Sequence, residues 1–263
     1  MDLSIIIRDW PYDDRHEGNN VRKLVGVDGR MKVQVRILDG VIQWDVDGRP
    51  DGRRLHGCDS MLAYCRGLLA AHGSDGHPLD PGAAVLDGDV VAELADEFRA
   101  YCRRGRALLL LGDSDRALRD CVHALAILNL MHVAEVEESL LAIHDRYRPT
   151  LLVDRARAEM LRSIREGNAR AALDALTRGI ADIERFYREC GADEHVGDST
   201  ERQILVDLRR SLREKYNVPL DDRELLRSLR VEQEIAIRTE NYEMAARLRD
   251  KIKLVRHRIG PGQ

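Results

Sequence analysis

The sequence predicts an α+β chain that is predominantly helical, with a small antiparallel sheet near its start and helical hairpins after it. Strand-like alternation of apolar residues is confined to residues 21–48. Beyond residue 89, apolar residues instead recur at steps of three and four, the spacing of amphipathic helices. Charged residues make up 33% of the chain and aromatic residues 4%. This composition favours helices with salt-bridged faces over a β-sandwich.

Three antiparallel strands are predicted, at residues 21–27, 30–38 and 41–46. Val33 and Val35 share one face of their strand, and Ile42 and Trp44 share a face of the next. Asp-Gly pairs follow the strands at 28–29, 39–40 and 47–48, and this dipeptide suits tight hairpin turns. Such a sheet is one-sided and needs a cover. We expect the helix predicted from Met61 to Ala71 to supply it.

The loop after the sheet concentrates Asp, Arg and His residues among glycines. Loops often display functional residues, so one hypothesis is a ligand or metal site here. The other interpretation is turn chemistry with solvated arginines, because Asp-Gly and Pro-Asp-Gly are turn sequences. We favour the turn interpretation. The candidate residues are Asp47, Arg49, Asp51, His56 and Cys58.

The middle of the chain carries two predicted helix pairs, each with small residues at regular places. The first pair has Tyr101, Gly105, Leu108, Gly112, Ala117, Ala124 and Leu125, and the second has Ala156, Met160, Gly167, Asn168, Ala172 and Gly179. These positions resemble those of the tetratricopeptide repeat. The turn glycines are 55 residues apart, against about 34 in a tight array, because another helix intervenes. We therefore predict tetratricopeptide-like hairpins.

The sequence divides into four parts. They are an α+β domain at 1–75, a linker at 76–88 rich in Gly, Pro and Asp, a tetratricopeptide-like helical domain at 89–217, and a helical hairpin at 218–260. Neither a signal peptide nor an apolar run long enough for a membrane span is visible, so we expect a cytoplasmic protein without a membrane partner. The five cysteines include no CxxC pair, which predicts neither a disulfide framework nor a zinc ribbon.

Catalytic constellations are not visible in the sequence. It lacks GxxxxGK[ST], GxGxxG, HExxH and GxSxG. His123, His132 and His144 are spaced by nine and twelve residues, which does not place all three on one helix face. We therefore expect a protein that is not an enzyme, with no catalytic, cofactor-binding or metal-binding residues.

The most specific stretch of the chain is its last predicted helix pair, residues 223–259. Each half carries one apolar stripe: Leu226, Leu229, Gln233, Ala236 and Ile237 in the first, and Ala245, Leu248, Ile252, Val255 and Ile259 in the second. The short polar link between them ends at Asn241, which suits the N-cap of the second helix. Tyr242 is placed to cover the turn. Two stripes joined by so short a link predict an antiparallel hairpin.

The second helix of this pair reads YEMAARLRD from Tyr242 to Asp250 and continues with Lys251 and Ile252. This sequence closely resembles the UvrB/UvrC motif. The pattern of that motif is an aromatic residue, Glu, two Ala, Leu-Arg-Asp and then Ile. In the bacterial families that carry it, the motif is a protein-docking hairpin without catalytic activity. The resemblance implies a protein partner, either another such hairpin or a Clp- or Uvr-type protein, and self-association is a further expectation.

The second helix also carries a local excess of positive charge. Residues 247–258 include six basic residues and one acidic residue, Asp250, in a chain of net charge -4. The residues expected to bind a partner are Tyr242, Ala245, Arg247, Leu248, Arg249, Asp250, Ile252, Lys253 and Arg256. The leading hypothesis is a cytosolic adaptor. The alternatives are a DNA-repair or nucleic-acid-associated factor using the same basic helix, and an enzyme or ligand sensor built on the loop at 47–58.

Overall fold

The computed structural model of the protein describes residues 4–74, 86–134 and 136–259. It is predominantly helical, with a three-stranded antiparallel sheet near the N-terminus and a helical hairpin at the C-terminus, so the predicted fold class is confirmed. The chain forms two compact units, Met1–Leu212 and Arg213–Gln263. The four-part division expected from the sequence stays a prediction, and most of its linker lies outside the described residues.

The sheet consists of β1 (Val21–Val25), β2 (Met31–Ile37) and β3 (Gly40–Asp45), in the order β1-β2-β3. Both neighbouring pairs are antiparallel, and Val33 lies opposite Lys23 on one side and Trp44 on the other. Gly29 has φ +75° in the first turn, a conformation that glycine adopts without strain. The three predicted strands and their turns are therefore confirmed, with ends that differ by one or two residues.

Ten α-helices cover most of the described residues. They are α1 (Ser4–Asp9), α2 (Met61–Ser74), α3 (Gly88–Leu110), α4 (Ser114–Val133), α5 (Glu138–Asp145), α6 (Arg148–Arg165), α7 (Ala169–Glu189), α8 (Thr200–Tyr216), α9 (Asp222–Arg238) and α10 (Tyr242–Ile259). Short 3-10 helices lie at Glu17–Asn20 and Asp193–His195.

The cover of the sheet is not the one expected from the sequence. Val33 and Trp44 pack in one cluster with Leu108 of α3 and Ala158 of α6. Met61 and its neighbours in α2 instead join the core formed by the long helices. The prediction that α2 covers the sheet is therefore wrong. The reason is that the last turns of α3 are apolar on several sides, so they can face the sheet while the rest of α3 faces other helices.

The two long helix pairs of the middle region turn at the predicted glycines. Gly112 between α3 and α4 and Gly167 between α6 and α7 both have φ +74°, which favours glycine. Small residues set the close approach of the helices: a Cβ atom added to Gly179 would lie 2.6 Å from the Cβ of Ala156. The resemblance to tetratricopeptide repeats itself stays a prediction.

Candidate functional site

The C-terminal hairpin is built from α9 and α10, and local side chains fix both helix starts. At the start of α9, Asp221 accepts a hydrogen bond from the Glu224 amide (2.7 Å), and Glu224 accepts one from the Asp221 amide (3.2 Å). This is a capping box, which the Asp-x-x-Glu spacing could have revealed. At the start of α10, Asn241 accepts from the Met244 amide at 3.2 Å. The N-cap predicted for Asn241 is confirmed.

The two helices are antiparallel and enclose an apolar core of their own. Arg258 near the end of α10 pairs with Asp222 at the start of α9, at 3.2 Å. Near the turn, the Gln233 side chain donates to the Ala245 carbonyl oxygen at 3.3 Å. We call the buried core the seam, and it consists of Leu229, Ala236, Ala245, Leu248, Ile252 and Val255. The C-terminal unit therefore has a core that does not depend on other parts of the chain.

Two residues expected to pack in the hairpin lie outside the seam. Ile237 is 52% exposed, because Ala236 takes the inward position and the next residue is rotated by about 100°. The prediction that Ile237 belongs to the apolar stripe is wrong. Tyr242 is 68% exposed, since α10 enters the seam only at Ala245. The side chain of Ile259 lies outside the described residues.

The structure separates the nine predicted partner-binding residues into two sets. Ala245, Leu248 and Ile252 are buried in the seam, where they shape the hairpin. The other six are exposed on α10: Tyr242, Arg247, Arg249, Asp250, Lys253 and Arg256.

Four of the exposed residues form one line along α10. Tyr242, Arg249, Lys253 and Arg256 follow one another at steps of seven, four and three, which places them on a single face beside the seam. We call this line the basic stripe.

Half of the cations on α10 have an ionic partner. The pairs are Arg247–Glu243 (2.6 Å), Arg249–Asp250 (3.1 Å) and Arg258–Asp222 (3.2 Å). Such exposed pairs contribute only about 0–1 kcal/mol each, so an external partner could replace them. Lys251, Lys253 and Arg256 make no ion pair with the residues that the structure describes. Their charges are available to an acidic partner.

Exposed apolar side chains also lie on both helices of the hairpin. Val231 and Ile235 lie one turn apart on α9, and Met244 and Leu254 lie on α10; all four are exposed. Sequence analysis missed Val231, Ile235 and Leu254 as candidates because they fall outside the stripe that forms the seam. Exposed apolar residues next to charged ones are typical of surfaces that bind other macromolecules.

Comparison with known proteins identifies this hairpin. Residues 223–258 match the family model of the UvrB/uvrC motif, a range that covers α9, the turn and almost all of α10. The chain therefore carries a UvrB/UvrC motif at its C-terminal hairpin, as the sequence resemblance indicated. No curated protein and no solved structure matches the chain.

Charged side chains of the loop at 47–58 form hydrogen bonds and ion pairs within the N-terminal unit. Asp47 receives hydrogen bonds from Arg116 (2.8 Å) and Arg119 (3.2 Å), and the bond from Arg116 is the main cause of the lowered pKa of Asp47. Arg49 is buried and pairs with Asp51 at 3.0 Å and with Glu97 at 3.5 Å. No cluster of potential metal ligands is found among the described residues. The turn interpretation agrees with the positive φ of Gly48 and Gly52, but its expectation of solvated arginines is wrong for Arg49, which is buried and ion-paired.

A buried arginine that the sequence analysis missed fixes the same loop. Arg104 of α3 donates from Nε and Nη2 to the two Asp120 carboxylate oxygens, at 2.7 and 2.8 Å. Its Nη1 donates to the carbonyl oxygens of Asp45 and Gly48, both at 2.8 Å. Arg104 and Asp120 are fully buried. Arg104 therefore ties the end of β3 to α3 and α4.

Glu97 is a second buried anchor in this unit. Its carboxylate accepts hydrogen bonds from the amides of Met61 (2.7 Å) and Leu62 (3.2 Å) at the start of α2, and lies 2.9 Å from His123 Nε2. Burial alone would raise the pKa of Glu97, but these hydrogen bonds hold it below its ordinary value of 4.5. Glu97 is thus a charged cap for α2 and a partner for Arg49.

Replacing Glu97 by glutamine is expected to lower the free energy of unfolding at pH 7 by roughly 1–3 kcal/mol, because Arg49 loses its buried counter-charge. A lowered folded-state pKa gives stability that is present above about pH 4.5 and lost as the pH falls further. Urea unfolding from pH 7 to pH 3 should therefore show a smaller acid-induced loss in Glu97→Gln than in the wild type. Equal acid-induced losses would contradict this role.

Proposed function

We propose that the protein is a cytosolic, non-enzymatic adaptor whose C-terminal hairpin docks a partner protein. Two observations on the hairpin support the proposal: it matches the UvrB/uvrC motif, and its two helices bury the seam between them. Its basic stripe and its exposed apolar residues are therefore not needed to hold it together. None of the helices that the structure describes combines the length and apolarity needed to span a lipid bilayer.

The chemistry of the hairpin favours an acidic partner surface with some apolar area. Lys253 and Arg256 lack an ionic partner among the described residues, and Tyr242 at the start of the stripe offers an exposed aromatic ring. Aromatic and arginine side chains are enriched at protein interfaces. Another hairpin of the same family, a Clp- or Uvr-type protein, or a second copy of this chain are the candidate partners.

A nucleic-acid-associated role using the same stripe is the second candidate function. It is supported by the six basic residues between positions 247 and 258. The net charge of -4 for the whole chain supports it less. Proteins that bind single-stranded nucleic acid often stack bases on aromatic side chains. In α10, Tyr242 is the only Phe, Trp or Tyr residue. We therefore propose protein docking as the main function.

Reversing two charges of the basic stripe should weaken capture of the partner without unfolding the hairpin. In Lys253→Glu/Arg256→Glu, both changes fall at exposed positions, and we expect affinity for an acidic protein partner to fall by about tenfold or more. The measurement is affinity capture by the full-length chain from its native cell extract, followed by titration of the purified partner.

A matched control carries the same charge change on the other helix. Arg227 and Arg238 lie on α9, are exposed, and make no ion pair within the described ranges 4–74, 86–134 and 136–259. The Arg227→Glu/Arg238→Glu variant should retain most of the affinity, whereas equal losses in the two variants would indicate a nonspecific charge effect. Repeating the capture with and without nuclease separates the candidate functions, since a complex held by nucleic acid is lost when the nucleic acid is degraded, whereas direct protein docking persists.

A further inference from the structure

A cavity of about 750 Å³ lies in the N-terminal unit, between the sheet and helices α3 and α6. Its volume falls in the range of about 300–1,000 Å³ that is usual for small-molecule sites. The walls are mainly apolar, with Val35, Ile42 and Trp44 from the sheet and Ala107 and Leu110 from α3. This part of the molecule has no role in the hairpin function proposed above.

Four large side chains of the lining mark the opening of the cavity. Tyr12, Ile37, Leu38 and Tyr147 all line it and are all exposed to solvent. Exposed apolar groups around a concave apolar surface are typical of ligand-binding sites, because a ligand would remove them from water. The cavity is therefore open to a molecule from solution.

Helix α6 contributes one acidic residue to the wall. Thr150, Leu151 and Asp154 all line the cavity. Asp154 follows the other two by four and three residues, which places the three side chains on one face of the helix. The ion-pair partner of Asp154, Arg106 of α3, lines the cavity from the opposite helix. The carboxylate of Asp154 therefore lies at the border of the cavity.

This carboxylate is buried, and only one of its oxygens has a donor. Asp154 is 4% exposed. Its Oδ1 accepts a hydrogen bond from Arg106 Nη1 at 2.9 Å. Its Oδ2 makes no hydrogen bond to the residues that the structure describes, yet it is not among their fully enclosed polar atoms. A buried acceptor without a donor is costly. A donor placed in the cavity would remove that cost.

The charged groups that border the cavity balance one another. Arg106 pairs with Asp154 at 2.9 Å and with Glu17 at 3.1 Å. Arg103, one turn earlier on α3, is exposed and also lines the cavity. Arg36 adds no charge there, because side chains alternate along β2 and that of Arg36 points to the face opposite the cavity wall. Two carboxylates and two guanidinium groups leave no net charge to neutralise, which favours an uncharged ligand.

We propose that this cavity binds a small uncharged alcohol with a hydrocarbon chain. Its hydroxyl group donates a hydrogen bond to Oδ2 of Asp154. Its hydrocarbon chain lies against the apolar wall formed by the sheet and α3. An ether of the same size satisfies the wall but offers no donor, and a carboxylate would place a second negative charge beside Asp154. Recognition therefore requires both the chain and the hydroxyl group.

Calorimetric titration of the full-length protein with three ligands tests the proposal. They are 1-octanol, its isomer heptyl methyl ether, and octanoate. We expect one 1-octanol site per chain. The ether should bind at least about tenfold more weakly, because a hydrogen bond to a charged acceptor is lost. Octanoate should bind at least about tenfold more weakly as well, because like charges repel.

A variant of the carboxylate separates the hydrogen bond from the apolar contact. Asp154→Ala should weaken binding of 1-octanol about tenfold and leave binding of the ether unchanged, since only the alcohol uses Oδ2. Glu159→Ala is the matched control. Glu159 lies on the same helix and pairs with Arg178 at 2.9 Å, but it does not line the cavity. It should bind 1-octanol as the wild type does.

A second variant tests the location of the site and does not depend on Asp154. Thr150 lines the cavity and is exposed, so Thr150→Trp fills the mouth without disturbing the core. Binding of 1-octanol should then be lost, with an unchanged melting temperature. The proposal is overturned if 1-octanol does not bind at millimolar concentration, if the ether or octanoate binds equally well, or if Thr150→Trp binds 1-octanol as the wild type does.

Discussion

Replacing Asp120 by alanine is expected to lower the free energy of unfolding of the N-terminal unit by about 3–5 kcal/mol. The carboxylate of Asp120 is the only acidic partner of the fully buried Arg104 among the described residues. Without it, the guanidinium keeps only the carbonyl oxygens of Asp45 and Gly48 and remains charged in a place that water does not reach. Urea unfolding followed by circular dichroism measures the loss.

A matched control for this variant lies five residues earlier in the same helix. Asp115 pairs with Arg165 at 2.7 Å, but both side chains are more than half exposed. Asp115→Ala should therefore cost no more than about 1 kcal/mol. If Asp120→Ala and Asp115→Ala destabilise the protein equally, burial does not determine how much the Arg104–Asp120 pair contributes to the free energy of unfolding.

Replacing Leu248 by aspartate should unfold the hairpin and leave the N-terminal unit folded. Leu248 is 3% exposed in the centre of the seam, and a carboxylate there loses its hydration without gaining a partner. A hairpin of this size has little other apolar core to compensate. Hydrogen exchange should show loss of amide protection across α9 and α10, with protection in α3, α4, α6 and α7 retained.

Leu254 supplies the control for this prediction. It lies in the same helix and is 69% exposed, so Leu254→Asp makes the same chemical change on the outer surface. Protection of α9 and α10 should persist in this variant. Loss of protection throughout the N-terminal unit in Leu248→Asp would show that the two units do not fold independently.

The parts of this structure that local sequence determines were predictable. The sheet follows from alternation and Asp-Gly turns within 30 residues, and the hairpin follows from two stripes and the Asn241 cap. In both cases, the residues that make contact are close in sequence. The error at Ile237 shows the limit of this reasoning. Spacing alone assigned both Ala236 and Ile237 to the apolar stripe, but only Ala236 contacts the other helix.

Contacts between distant segments were not predictable in the same way. The sheet is covered by Leu108 and Ala158, which lie far along the chain from Val33, and several apolar helices competed for that role. Arg104 stands in a run of basic residues that suggests a solvated helix face, and no local signal marks it as buried. The cavity combines residues from Tyr12 to Asp154, so only the folded structure brings them together.

Capture of a partner by the intact chain and by Leu248→Asp tests the central proposal most directly. Each full-length protein is used as bait in extracts of the native cell, and the bound proteins are quantified by mass spectrometry. The account predicts a protein that is retained by the wild type in the presence of nuclease and reduced at least about tenfold with Leu248→Asp. Recovery of the same proteins at the same yield by both baits would contradict docking through the hairpin.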